Sequence, residues 1–126
     1  MVESINTKVE YAGKGTSFLG LGEYGNILIG DKGFEFFNTR NVNDYIQIPW
    51  EEVDIVVASI LFKGKYIPRF AVVTKKNGTY SFASKEPKVV LARIRDHIGN
   101  ERVLRSLSAF QVTKNGLSAL LKRLKK

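Results

Sequence analysis

Few residues in this 126-residue chain have the types and spacing that chemistry needs. Gly20-Leu21-Gly22-Glu23-Tyr24-Gly25 fits the G-x-G-x-x-G pattern, and Asp44 lies nineteen residues beyond its last glycine, near where a dinucleotide site places its ribose carboxylate. Such a loop must open a helix whose N–H groups face a pyrophosphate, whereas Asn26-Ile27-Leu28-Ile29 reads as a strand. The pattern is rejected as a nucleotide site and its glycines are read as strand bends. His97 is the single histidine and cysteine is absent, so neither a His-rich metal site nor a Cys–His pair can be built. Nothing in the spacing supports a Ser or Asp nucleophile using His97 as base. Its expected place is the end of a helix, where an imidazolium complements the dipole. Glu51, Glu52 and Asp54 have the chemistry for acid–base work or for a hard cation, but a solvated corner between two strands is the simpler reading. No catalytic residue, metal ligand or cofactor is expected, and an enzyme is the last of the functional classes considered.

The basic residues offer more. Lys63, Lys65 and Arg69, with Tyr66 among them, form a basic aromatic turn that could hold an anionic group or a nucleic-acid backbone. The plainer reading is a solvated turn whose charges protect an apolar strand from aggregation. Near the C-terminus Lys122, Arg123, Lys125 and Lys126 stand opposite a stripe of Leu117, Leu120, Leu121 and Leu124. A basic amphipathic helix of this kind meets acidic protein grooves, membrane surfaces or phosphates, or else docks on its own domain through the leucines. Charge is concentrated there. Residues 1–100 carry 13 Lys and Arg against 11 Asp and Glu, whereas residues 101–126 carry 7 against 1, and the whole chain is at +8.

The elements that would position these groups are mainly β. Ile46, Ile48 and Trp50 alternate with Gln47 and Pro49, as in a half-buried strand that carries its proline at an edge or an end. Ile55 to Phe62 is apolar except at Ser59, so this strand should be central and covered on both faces. The two runs form the pair around which the other strands are expected to assemble. Val9, Tyr11, Phe18 and Leu19 suggest one or two opening strands. Asn26–Ile29 and Phe34–Phe37 form a hairpin across Gly30-Asp31-Lys32-Gly33, with glycine available for positive φ. Asn77-Gly78 suits a two-residue type I′ turn between strands near Arg69–Lys75 and Thr79–Ala83, which would set Lys76 opposite Thr79 and Val73 opposite Phe82. About seven antiparallel strands follow, hence a small sandwich or barrel.

Helical spacing begins after Ser84-Lys85-Glu86-Pro87, with Ser84 as cap, Val90, Leu91, Ile94 and Ile98 as the buried stripe, and Gly99 as the stop. Val103, Leu104, Leu107 and Phe110 suggest a further short helix before the leucine stripe. The expected layout is one domain over 1–126: a β barrel at 1–84, a capping helix at 85–99 and a basic helical tail at 100–126. The core is expected to contain Ile46, Ile48, Trp50, Val56, Ile60, Phe70, Val72, Phe82, Leu91 and Ile94. With 44% hydrophobic and 25% charged residues the composition is that of a globular domain. Met1 to Tyr11 has no signal-peptide pattern and no apolar run reaches about 18 residues, so a cytoplasmic location is expected.

Taken together, the chain resembles the ManO family, described as regulators of the mannose operon found beside mannose phosphotransferase genes in Gram-positive bacteria. The resemblance is carried by Lys14-Gly-Thr-Ser-Phe-Leu-Gly-Leu-Gly, Gly30-Asp-Lys-Gly-Phe-Glu-Phe-Phe-Asn, Asp44-Tyr-Ile-Gln-Ile-Pro-Trp-Glu-Glu-Val, Phe62-Lys-Gly-Lys-Tyr-Ile-Pro-Arg-Phe, Lys75-Lys-Asn-Gly-Thr and Arg105-Ser-Leu-Ser. It implies a pleckstrin-homology-like fold, a curved antiparallel barrel closed by a helix, and brings no catalytic residue with it. The function this implies is a non-enzymatic regulator or adaptor of sugar uptake that works through protein contacts, with phosphotransferase components among the candidate partners. A nucleic-acid-binding regulator using the basic tail, a membrane-surface module beside the transporter, and self-association remain open as alternatives.

Overall fold

The computed structural model describes residues 3–19, 22–41, 43–60 and 66–106. Eight strands form one sheet: β1 (Val9–Ser17), β2 (Glu23–Gly30), β3 (Gly33–Asn38), β4 (Tyr45–Pro49), β5 (Val53–Ser59), β6 (Phe70–Thr74), β7 (Thr79–Ser84) and β8 (Val103–Ser106). Among the described residues there is one α-helix, α1 (Pro87–Ile98), between β7 and β8. The strand order is β4-β3-β2-β1-β7-β6-β5-β8, so the sheet is open, with β4 and β8 at its ends, and among the described residues no ladder closes it into the expected barrel. Among the described residues no helix is long and apolar enough to cross a membrane.

The open sheet still encloses one core because it curls over on itself. Phe34 on β3 touches Phe70 on β6 edge-on at 6.1 Å and Phe82 on β7 at 4.8 Å between ring centroids, contacts between strands that are not neighbours in the sheet. Offset and edge-to-face pairs of this kind are favourable beyond the area they bury. Val90, Leu91, Ile94 and Ile98, spaced for one helical face, seal the same core from α1. Ile48, Val56, Phe70, Val72, Phe82, Leu91 and Ile94 are buried as expected, while Ile46 and Trp50 are half-buried against that core. Ile60 lies just beyond β5 and is half-exposed. Ile27, Ile29, Phe34, Phe36 and Val53 complete the interior.

The runs at Ile46–Trp50 and Ile55–Phe62 are consecutive but not hydrogen-bonded partners. β4 is an end strand with Pro49 at its last position, and the chain turns a 3-10 corner at Trp50–Glu52 before β5 sets off near the opposite end. Glu51 and Glu52 occupy that corner. Asp54 instead lies inside β5, at a register irregularity between Val53 and Ile55 that lets the strand carry a polar residue without losing its alternation. β5 is buried on both faces: Val53, Val56 and Ala58 look into the main core, and Ile55 and Val57 form a second cluster with Val73, against which Leu104 packs.

Four expectations are corrected. Thr74 and Thr79 bound a four-residue connection in place of the two-residue turn, so Val73 pairs with Thr79 and Phe82 with Phe70. The Thr74 hydroxyl fixes this longer loop by accepting from the Asn77 amide at 2.9 Å and donating to the Gly78 carbonyl at 2.6 Å. The shorter register would also have turned Phe70 and Val72 out of the core. Gly78 has φ +86°. Gly30 and Gly33 are glycines for space: a Cβ would stand 2.3 Å from the Lys8 carbonyl oxygen at Gly30 and 2.4 Å from that of Ile48 at Gly33.

The third correction is at the helix start, where Ser84 does not cap α1. The N-cap position is Glu86, and the Ser84 hydroxyl accepts from its amide at 3.0 Å, shaping the approach to the helix. Gly99, at φ +98°, ends α1 as expected.

The fourth is Val103 and Leu104, which belong to a strand and not to a helix. After a short 3-10 turn at Asn100–Arg102, β8 pairs in parallel with β5, Val56 beside Val103 and Ala58 beside Arg105. The free edge of β5 outweighs a weak helical pattern containing the β-branched Val103. Arg102 locks the approach, its guanidinium donating to the carbonyls of Asp54 and Val53. The sheet thus has eight strands, and the segment after residue 100 begins as part of it. The rest of the expected basic tail, with Leu107, Phe110 and the leucine stripe, lies outside the described residues.

Candidate functional site: a basic band around the helix

Three adjoining grooves run from the β1–β2–β7 face to α1 and the β5–β8 end. The first, about 540 Å³, lies over β1, β2 and β7 and is bordered by Lys14, Thr16, Tyr24, Asn26, Thr39 and Lys85. A second, about 550 Å³, continues from Ala83, Ser84 and Lys85 to Tyr66, Pro68, Pro87, Lys88 and Val89. The third, about 430 Å³, shares Ile67 and Lys88 with the second and runs between α1 and the β5–β8 end, lined by Leu91, Ala92, Arg95, Val103 and Arg105. Five cations therefore stand along one band: Lys14, Lys85, Lys88, Arg95 and Arg105. All five are exposed, and among the described residues none forms an ion pair; the two pairs present are Arg93–Asp96 and His97–Glu10. Among the described residues Glu86 is the one carboxylate bordering these grooves, and it accepts a 3.1 Å hydrogen bond from the Tyr11 hydroxyl. Burial raises the Tyr11 phenol above its usual range and the Glu86 carboxylate adds to this, against a lowering hydrogen bond from Ser84. A band of this kind attracts anionic groups.

None of the sequence-derived candidates is among these five. Lys63, Lys65, Lys122, Arg123, Lys125 and Lys126 lie outside the described residues. Arg69 is described, and its guanidinium carbon sits 3.9 Å from the centre of the Phe18 ring, a cation–π contact between the start of β6 and the end of β1. Tyr66, its neighbour in the expected turn, does border the band and is 53% exposed. The five band cations were not grouped from the sequence because strand order, and not spacing, brings β1, the β7–α1 link and β8 together. One signal was present: Lys88, Leu91, Ala92 and Arg95 recur at helical spacing on a single stripe.

The rejected motifs behave as structural features. Gly22, at φ +98°, leads into strand β2 and not into the helix that a pyrophosphate loop opens. His97 lies in the last turn of α1, stacks flat on Trp50 and makes a 2.7 Å contact with the Glu10 carboxylate. Among the described residues no group of three His, Asp or Glu side chains could hold a metal.

A second polar cluster was missed. Glu35 on β3 is fully buried and accepts from the Ser4 hydroxyl, the Ile5 amide at 3.1 Å, the Asn6 side-chain amide at 2.7 Å and the Gln47 side-chain amide at 2.9 Å. Asn6 in turn accepts from the Lys32 and Gly33 amides, each at 2.8 Å. Every lone pair is turned toward a donor from the chain, so the cluster straps residues 4–8 onto the β2–β3 hairpin and leaves nothing for a ligand.

Residues 1–117 match the family described as a domain of unknown function, DUF956. The chain belongs to the DUF956 family. Comparison with curated proteins gives no match. Among solved structures this DUF956 chain is similar to the C-terminal domain of an unknown protein from Leishmania infantum, with TM-score 0.64, 14% identity, and coverage of 74% of this chain and 85% of that one. It is also similar to the Spt16D Pob3N heterodimer, with TM-score 0.58, 6% identity, and coverage of 76% and 53%. A third likeness is to the linker-DH/PH domains of p115-RhoGEF, with TM-score 0.55, 13% identity, and coverage of 73% and 29%. The DUF956 chain spans about half of the second structure's chain and under a third of the third's. At these identities the likeness is one of fold.

Proposed function

We propose that this DUF956 protein is a non-enzymatic regulator or adaptor linked to mannose-type sugar phosphotransferase uptake, acting through contacts with another protein. The observation that carries the binding role is the band of five cations along three joined grooves, placed on rigid elements of the fold. The link to sugar uptake rests on the resemblance to the ManO family. A pleckstrin-homology-like architecture fits the likeness to a DH/PH structure, and another similar structure, the Spt16D Pob3N heterodimer, is a protein–protein assembly. Fold alone assigns no partner.

The test is a pull-down with the full chain from a mannose-grown host, repeated after charge reversal at Lys85, Lys88 and Arg95. Capture of a defined host protein by the parent chain, lost on reversal, is the expected result. Capture of nucleic acid alone, with log affinity falling steeply against log salt, would replace this reading with the second one, a nucleic-acid-binding regulator using the basic residues 101–126.

A further inference from the structure

The groove between α1 and the β5–β8 end differs from its neighbours in having an aliphatic floor between cations. Lys88, Leu91, Ala92 and Arg95 occupy one stripe of α1, with charge at both ends and carbon between, and Val103 and Arg105 on β8 form the facing wall. Among the described residues no carboxylate lines this cleft of about 430 Å³. Resting on the protein-binding reading above, we propose that it takes an acidic peptide segment of the partner. Glutamate or aspartate side chains would meet Lys88, Arg95 and Arg105, and an aliphatic side chain between them would rest on Leu91 and Val103.

Charge complementarity and the chemistry of the floor select this occupant over others. Single-stranded nucleic acid binds on aromatic faces that stack its bases, and among the described residues no aromatic side chain lines the cleft. A bilayer is met by protruding apolar side chains, whereas here the carbons lie between the cations. The chain's own residues 107–126 carry Lys114, Lys122, Arg123, Lys125 and Lys126 and no carboxylate, so like charge disfavours them as occupants. An acidic segment with an aliphatic anchor satisfies both parts: its charges steer and orient it, and its apolar side chain supplies the desolvated contact.

The experiment titrates the full ¹⁵N-labelled chain with an acetylated peptide, Glu-Glu-Leu-Glu-Glu, and with the same peptide carrying serine for leucine. Amide shifts should concentrate at Leu91, Ala92, Arg95 and Val103. Affinity should fall about tenfold for the serine peptide, and at least as much for the chain carrying Arg95→Glu with Arg105→Glu. Both arginines are exposed, and a melting curve of the double variant separates lost binding from lost fold. Binding indifferent to the leucine, shifts spread along the whole basic band, stronger shifts of the same amides by oligo-dT or phosphatidylglycerol vesicles, or self-association abolished by the double variant would each overturn the proposal. If the double variant still captures the host partner, this inference fails while the adaptor reading stands. If the parent chain captures no host protein, it is the adaptor reading that fails.

Discussion

Trp50 lies flat against His97, with ring centroids 4.6 Å apart and planes 11° from parallel, so the corner between β4 and β5 is clamped to the last turn of α1. The indole N–H also donates to the Gly30 carbonyl at 2.9 Å, and the imidazole reaches Glu10 on β1. Trp50→Ala should destabilise the fold by about 3 kcal/mol, as expected for loss of a large packed aromatic. In a double-mutant cycle with His97→Ala, measured by chemical denaturation, a coupling of about 0.5–1.5 kcal/mol is expected. Strict additivity would show that the stack carries no energy of its own.

Glu35 gathers its donors in a site closed to water, and removing the carboxylate leaves them unpaired. Glu35→Ala should cost about 1–3 kcal/mol and raise amide exchange at Ile5, Lys32 and Gly33, which the Glu35–Asn6 cluster now binds. Glu35→Gln should not rescue it, because an amide N–H₂ would point at groups that already donate. Unchanged exchange in both variants would detach the cluster from the N-terminal strap.

Asp31 accepts from the amides of Thr7 at 2.9 Å and Lys8 at 3.0 Å and from the Thr7 hydroxyl. These bonds, led by the hydroxyl, lower its carboxyl from 3.8 to about 2. A depressed folded-state value means that the Asp31 contribution is fully present above the unfolded value of 3.8 and is lost as pH falls through about 2. Asp31→Asn should therefore flatten the acid limb of a plot of melting temperature against pH in that window. An identical limb in both proteins would remove Asp31 from acid unfolding.

Two glycines test different physical limits. At Gly78 a Cβ would meet nothing within 4 Å, but φ is +86°, so Gly78→Ala should cost about 1 kcal/mol through backbone strain alone. At Gly15 a Cβ would stand 2.4 Å from Ile27 Cδ1 and 2.7 Å from the Ala83 carbonyl oxygen, so Gly15→Ala should cost more and lower the protection of the β1–β7 amides. Urea denaturation of the two variants ranks the effects, and equal costs would contradict the close approach at Gly15.

The elements whose residues repeat locally were legible in the sequence. The alternation around Ile48, the apolar run through Val56 and the stripe Val90, Leu91, Ile94 and Ile98 all became the elements their periods implied. What could not be read depended on partners distant in sequence. Val103 becomes a strand because β5 offers it an edge, and Thr74 selects a loop that Asn77-Gly78 alone would have shortened. The band was partly visible in the Lys88–Arg95 stripe, but Lys14 and Arg105 reach it through strand order. Arg69, singled out for binding, packs over the Phe18 ring.

The ladder between β1 and β7 joins Gly15 to Ser84, Thr16 to Ala83 and Ser17 to Phe82, and among the described strands it alone connects the β1–β4 half of the sheet to the half containing β5–β8. Its two strands are separated by about half of the sequence, so closing it carries a larger loop-closure cost than closing a hairpin. That makes it a seam of high contact order, a contact expected to form late on refolding. The first groove of the basic band lies over this seam, with Lys14 on one side and Lys85 on the other. An anionic partner bridging those lysines would act as a suture, fastening two halves that the backbone itself holds with a few rungs.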